Sequence, residues 1–261
     1  MDLIYFNREE SIKAKGILGK NAKASLIWRQ HFAPGSHIGN CTNLYRKLNP
    51  SDEVDFYLKY ITYASEHQDE PIYERGLSYT ELVQLAEKYK KAVEMKIKAK
   101  YDLETYFHDA LCHIIVETWD GQQNERDFSN FLRSLGYECS HFDGYTDARF
   151  GLDIKVNNPR TDKVSAIQIK PISFFLSNRP DVHKDRINLC RKYKMTLETL
   201  GIKTYYAVYV KDKETGDVKW VKNGNGFRFR LNELFEFDEN DIYNKFMRLP
   251  MPDTYEKLPI I

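Results

Sequence analysis

FGLDIKV (150–156) and KVSAIQIK (163–170) alternate with period two on either side of a turn signature, NNPRTD (157–162). Side chains on a strand point to its two faces in turn. Leu152, Ile154 and Val156 are therefore expected on one face, and Asp153 and Lys155 on the other. In the second run Gln168 and Lys170 share a face with Val164 and Ala166, while Ile167 and Ile169 take the opposite one. A lone aspartate in a strand is usually an edge or turn residue. Here an amide and an amine follow in phase on the next strand, and that combination suggests chemistry.

The flanking segments extend this pair into a layered domain. In NERDFSNFLRSLGY (124–137), Phe128, Phe131, Leu132 and Leu135 fall at i, i+3, i+4 and i+7, one face of an amphipathic helix. Gly136 suits its C-terminal end. YECSHFDG (137–144) reads as a short extended piece. Downstream, Pro180-Asp181 begins a helix expected to run to about Leu200, with Gly201 ending it. KTYYAVYV (203–210) is a strong strand; KETGD is a hairpin turn, with VKWV and FRFRL as further strand candidates. The order is helix, strand, strand, strand, helix, strand.

The first third reads as helical and loop-rich. HFAPGSHIGN (31–40) is turn-forming, with Pro34, Gly35 and Gly39 as breakers. Ser51 is the expected cap of a helix through SDEVDFYLKYITYA. Glu70-Pro71 and Gly76 interrupt the chain, and Ser78-Tyr-Thr-Glu81 has capping-box spacing. A long helix follows, broken near Tyr101-Asp102; a second runs through TYFHDALCHIIVETW and ends at Asp120-Gly121.

The whole chain sets outer bounds. It has 261 residues, 42% hydrophobic and 14% aromatic, enough for a sizeable core. Charged residues make up 30% and the net charge is only +1. Residues 1–50 carry eight Lys/Arg against three acids, a basic segment that either faces phosphates or is a solvated surface. MDLIYFNREES has no apolar run after a basic start, so no signal peptide is expected. No stretch approaches the roughly 18 apolar residues of a membrane helix. Cys41, Cys112, Cys139 and Cys190 form no CxxC pair, which suits a reduced, cytoplasmic protein.

Phosphodiester hydrolysis needs a nucleophile, charge relief at phosphorus and help for the leaving oxygen. Mg²⁺, a hard ion that takes oxygen ligands and keeps several waters, supports all three. A carboxylate at the end of one strand and a carbonyl-type oxygen on the next would hold it. A lysine two residues further on the second strand would orient water or stabilise the charged phosphorane. Asp153 and Gln168-Ile-Lys170 meet this description, fifteen residues apart and so within one hairpin.

These residues carry a resemblance. The helix NERDFSNFLRSLGY, the stretch DARFGLDIKV and the strand AIQIK, in that order, resemble the core of the PD-(D/E)XK restriction-endonuclease-like superfamily. The pattern is similar to its Mrr-type branch, in which Gln replaces the usual second acid. The likeness covers about a third of the chain, from Glu125 to about Val210. It implies an α/β (α+β) fold, with a mixed central sheet flanked by helices and a helical N-terminal region. It assigns Asp153, Gln168, the Ile169 carbonyl and Glu125 to the metal, and Lys170 to catalysis. Neutral Gln168 removes one negative charge, so metal affinity would lean on Asp153 and Glu125. The chain departs from the pattern at Leu152, where an acid is usual; Asp147 would partly stand in.

Several residues keep a plainer reading. Glu125 is either a metal ligand or a helix-start acid favoured by the dipole, and Glu117 is a weaker rival. His108, Cys112 and His113 lack a second ligand pair and read as packing residues. Gly16-Ile-Leu-Gly19-Lys20 lacks phosphate-loop spacing, and no motor motif or nucleotide cofactor is expected. Lys184, Arg186, Arg191, Lys192 and Lys194 form either a solvated basic face or a phosphate contact, with Ile187, Cys190 and Leu197 expected inward. The expected layout is a basic helical region, 1–105, for DNA recognition or dimerisation, a catalytic core, 106–211, and an extension with short strands, 212–261. The expected activity is a type II-like endonuclease cutting double-stranded DNA with Mg²⁺, as a homodimer on palindromic sites. The alternatives are a catalytically silent DNA-binding or modification-sensing module on the same fold and a structure-selective repair nuclease.

Overall fold

The computed structural model describes residues 35–97, 103–177, 180–211 and 217–222, with the single positions Glu9 and Arg230. Most of the basic segment, the 16–20 run, the break at Tyr101-Asp102, most of the KETGD turn and nearly all of FRFRL lie outside the described residues. The chain divides into two compact units, Met1–Gln123 and Asn124–Ile261.

The described part of the first unit is helical: α1 (Gly35–Ile38), α2 (Cys41–Leu48), α3 (Glu53–Glu66), α4 (Ile72–Arg75), α5 (Tyr79–Ile97) and the start of α6 (Leu103–Ser134). The breaker-rich stretch before residue 40 thus contains a short helix, α1. Asp52, rather than Ser51, caps α3: its carboxylate accepts from Asp55 N–H at 2.8 Å, and Ser51 instead donates to Asp55. The core gathers Ile38, Leu44, Phe56, Tyr60, Leu77 and Leu111. The buried Tyr60 hydroxyl donates to the Ile38 carbonyl at 2.7 Å and accepts from Leu77 N–H at 2.8 Å. The capping box forms as expected, with Ser78 N–H donating to Glu81 and Glu81 N–H to Ser78 Oγ. Buried Arg75 grips the same carboxylate through two bonds, 2.6 and 2.7 Å.

Helix α6 is continuous over 32 residues, so Asp120-Gly121 does not end it. A helical glycine costs about 1 kcal/mol against alanine. Tertiary burial of Leu111, Ile115 and Val116 before it, and of Phe128, Phe131 and Leu132 after it, outweighs that penalty. The helix stops where the sequence expected. Gly136 adopts φ +87, its N–H reaches the Arg133 carbonyl, and Tyr137 N–H reaches Leu132.

The second unit holds a five-stranded mixed sheet in the order β1 (Glu138–Ser140), β2 (Ile154–Asn158), β3 (Lys163–Pro171), β4 (Lys203–Lys211), β5 (Val218–Trp220). The β3–β4 pair is parallel; the other three pairs are antiparallel. Parallel neighbours need a crossover, supplied by α9 (Pro180–Leu200). Helix α7 (Gly144–Phe150), which the sequence reading does not assign, lies between β1 and β2, and α8 (Ser173–Leu176) between β3 and α9. Asp143 caps α7, its carboxylate accepting from Thr146 N–H at 3.0 Å.

The C-terminal part of α6 covers one sheet face, packing Phe128, Phe131 and Leu132 on Ile154, Val156, Ile167, Ile169 and Ala207. On the other face Leu189 of α9 meets Tyr206 and Val208. Leu152 does not join Ile154 and Val156; it precedes the strand and packs with Phe150 and Ala166. Helix α9 also corrects the sequence reading. Ile187 and Leu197 are exposed at 42% each, and the inward positions are Leu189 and Thr196, with Tyr193 partly buried.

Two outcomes test this account. Arg75 holds the Glu81 carboxyl down at about 2, against an ordinary 4.5. A depressed carboxylate stabilises the fold above its unfolded value, and that contribution fades as pH falls toward about 2. Urea denaturation should show Glu81→Ala losing about 2–3 kcal/mol at neutral pH, because Arg75 is left buried and unpaired. Glu81→Gln should flatten the stability loss between pH 4.5 and 2; a slope equal to wild type would refute the pairing. Gly121 has open space where a Cβ would sit. Gly121→Ala should raise stability by about 0.5–1 kcal/mol in thermal melts, and a lower melting temperature would contradict the continuous helix.

Candidate active site

The last ladder pair at this end of β2 and β3 is Ile154–Ile167. One step beyond, the same register sets Asp153 opposite Gln168. Here β2 no longer supplies ladder partners, and Asp153 Oδ2 accepts the N–H of Ile169 at 2.6 Å. A charged acceptor makes a short, strong bond of this kind. The N–H and C=O of one strand residue leave on the same edge. The Ile169 carbonyl therefore leaves β3 on the side of Asp153.

Gln168 is buried and Lys170 half-buried, on the sheet face opposite Ile167 and Ile169. Lys170 Nζ stands 6.0 Å from the ring centre of Phe174 in α8, the outer range of a cation–π contact. Tyr206 pairs with Gln168 in register and lies on the same face. Burial pushes its phenol well up, with Cys190, Tyr193 and the Asp153 carboxylate adding to the shift. The chemistry-bearing side chains thus share a face with a neutral, buried phenol.

Glu125 comes to the same end of β2. Its carboxylate is 3.6 Å from His141 Nδ1, and that nitrogen is 3.3 Å from the Asp153 carbonyl. His141 stands between the Glu125 carboxylate and the Asp153 backbone carbonyl, and the sequence reading had passed over it. Only its place between a helix acid and a strand acid marks it out, and that is a tertiary fact. Glu117, the weaker rival, pairs with His113 at 3.3 Å, one turn back on α6. His108 packs against the buried Cys112 sulfur, at 3.6 Å through Nε2.

The basic residues of α9 separate by helical phase. Lys184, Arg191 and Lys194 are exposed, and Lys194 pairs with Glu198 at 3.7 Å. Arg186 is engaged in the fold: it donates to the carbonyls of Phe175 and Ser177, closing the end of α8. Lys192 turns inward. An ideal Cβ on Gly151 would lie 3.3 Å from Lys192 Nζ and 3.1 Å from Gln168 Nε2. Gly151 has φ +66 at the end of α7, and its N–H bonds the Asp147 carbonyl at 2.6 Å.

The donors near β2 and β3 are two carboxylates, an amide and a peptide carbonyl, all oxygen sources suited to a hard cation. Among the described residues there is no group of three or more His, Cys, Asp or Glu that would cage a metal. Mg²⁺ is commonly held by one or two carboxylates, with water and phosphate completing its shell, so this donor set fits it. Among the described residues no helix is long and apolar enough to cross a membrane. Compared with protein-family models, curated proteins and solved structures, the chain matches none.

The Asp153–Ile169 bond has a measurable consequence. Asp153→Asn keeps an acceptor for the Ile169 N–H and should fold with near wild-type stability. Asp153→Ala leaves that N–H without its acceptor and should cost about 1.5–3 kcal/mol in urea denaturation. Equal stability of the two variants would show that the bond contributes nothing.

Proposed function

We propose that this chain is a Mg²⁺-dependent deoxyribonuclease with a PD-(D/E)XK restriction-endonuclease-like core, acting as a type II-like site-specific endonuclease on double-stranded DNA. One observation carries the proposal: Asp153, fixed at the end of β2 by the Ile169 N–H, stands in register with Gln168 on a face shared with Lys170. An acid, an amide and an amine at one strand edge match the donors and the cation that phosphodiester hydrolysis needs.

Asp153, the Gln168 amide oxygen, the Ile169 carbonyl and Glu125 would hold the ion. When bound, Mg²⁺ supplies charge relief at the phosphodiester and makes a coordinated water more acidic. Lys170 orients the attacking water and offsets charge on the phosphorane. A bond from the water oxygen to phosphorus forms, the phosphorus–oxygen bond to one sugar breaks, and the departing oxygen takes up a proton. His141 holds Glu125 toward β2. The Ile167 and Ile169 side chains, on the opposite face, anchor β3 in the core.

The exposed stripe of Lys184, Arg191 and Lys194 would meet backbone phosphates, contributing affinity rather than sequence reading. The helical region before Gln123 would supply base contacts, and a homodimer would address both strands of a palindrome. The four cysteines are free thiols, as a cytoplasmic protein would keep them.

The test is incubation of plasmid DNA with Mg²⁺ and the wild type, Asp153→Ala or Lys170→Ala. Discrete fragments from wild type alone, with each variant slower by about 10² or more, are the expected result. Cleavage confined to branched DNA would indicate a repair nuclease. Binding without cleavage under Mg²⁺ or Mn²⁺ would indicate a silent module and end the nuclease proposal.

A further inference from the structure

We propose that Tyr145 and Arg149 of α7 form a platform for one unstacked nucleotide of the DNA strand, the tyrosine ring taking the base and the guanidinium a neighbouring phosphate. The inference deepens the nuclease reading and rests on it for the identity of the ligand. It names a state of the substrate, a duplex opened at one nucleotide near the cut. Its own ground is the geometry of α7. Residues four apart share a helix face, and Arg149 Nη1 donates to the Tyr145 hydroxyl at 2.7 Å. The guanidinium carbon lies 5.8 Å from the Tyr145 ring centre. Tyr145 is nevertheless 69% exposed, the most exposed aromatic side chain among the described residues. A single exposed apolar residue is ordinary. A tyrosine held by an arginine is a rigid surface, and it loses little freedom when a flat ligand lies on it.

Charge on this face suits a phosphate. Arg149 is exposed, and among the described residues it pairs with no carboxylate. The acids of the segment, Asp143 and Asp147, each stand two residues before a member of the pair. At about 100° per helical residue that sets them roughly 160° away, on the other side of α7. Asp143 is also engaged by the Thr146 N–H and hydroxyl, at 3.0 and 2.6 Å. The side that carries Tyr145 thus presents an aromatic ring and a positive charge, the combination that holds unpaired strands.

The fold fixes where that side stands. Phe150, at the other end of α7, is buried with Leu152 and Ala166, and the helix packs against α9. Helix α7 ends at Gly151, where an ideal Cβ would lie 3.1 Å from the Gln168 amide nitrogen. Its C-terminal end therefore abuts the strand that carries Lys170. A helix rises about 1.5 Å per residue, so Tyr145 lies roughly 9 Å back along α7 from Gly151. That is two or three nucleotides of a strand at about 3.4 Å per base. In a perfect duplex both faces of each base are covered by its neighbours, so the ring can take only a base that has left the stack. Stacking on an aromatic ring strengthens binding by about 5- to 150-fold. Extruding the base costs least where it is already unpaired.

The rival reading makes both residues ordinary surface side chains. Binding of fluorescein-labelled duplexes in EDTA separates the two without metal or cleavage, one duplex perfectly paired and one carrying a single unpaired thymine. Wild type should bind the second about tenfold more tightly. Tyr145→Ala should erase that preference, and Tyr145→Phe, which keeps the ring, should retain it. Arg149→Gln should lower the magnitude of the slope of log K against log salt by about 1, and Arg149→Lys should restore it. Both side chains are exposed, so thermal melts of all four variants should match wild type. If wild type binds the two duplexes equally, or Tyr145→Ala keeps the preference, the platform is refuted. An unchanged slope in Arg149→Gln removes the phosphate contact. If wild type binds no duplex at low salt, the platform is refuted as well. If the preference is present and lost with Tyr145→Ala while wild type never cuts plasmid under Mg²⁺ or Mn²⁺, the platform stands and the nuclease reading fails. If wild type cuts plasmid and shows no preference, the reverse holds.

Discussion

The bond between the Asp153 carboxylate and the Ile169 N–H closes the β2–β3 pair at the point where the ladder ends. It joins the core to the candidate chemistry. Period two allows one assignment of faces to each strand, and a one-residue slip exchanges them. Such a slip would carry Gln168 and Lys170 into the cluster with Phe128 and Phe131, and expel Ile167 and Ile169. Burying an amide and an ammonium there without partners would cost several kcal/mol. The apolar face therefore fixes the register, and the register fixes which polar residues stand beside Asp153.

Features written in local chemistry were legible in the sequence. The alternation of 163–170, the capping box at Ser78 and Glu81, the glycine stops at 136 and 201 and the extent of α9 each depend on a few adjacent residues. What depended on tertiary phase was not. Hydrophobicity nominated Ile187 and Leu197 for the inner face of α9, but the side facing β4 carries Leu189 and the fully buried Thr196. Helix α7 was missed because reading 137–144 as one extended piece absorbed Asp143, although the Asp143–Thr146 cap was there to be read. Gly151 and His141 carry no local signal. One matters for how closely side chains of two distant elements pack on its backbone, the other for standing between Glu125 of α6 and the Asp153 carbonyl just before β2.

Helix α6 shows the scale on which local and tertiary preferences compete. Gly121 sits in open surroundings and gains nothing from packing, so its cost of about 1 kcal/mol is uncompensated locally. Each large apolar side chain buried on either side returns about 1.5–3 kcal/mol. Phe128 and Leu132 alone exceed the penalty, and the helix runs through a dipeptide that would end a less anchored one.

Helix α9 distributes one kind of residue among three environments. Arg186, with its planar fork, satisfies two carbonyls at the end of α8; a lysine would offer no such geometry. Lys194 shares a surface pair with Glu198, worth little in water. Lys192 alone of the three is brought beside β3, and there the residue at 168 is neutral. A neutral amide at 168 offers hydrogen bonds on the β3 face that also carries Lys170, in register with Tyr206 of β4.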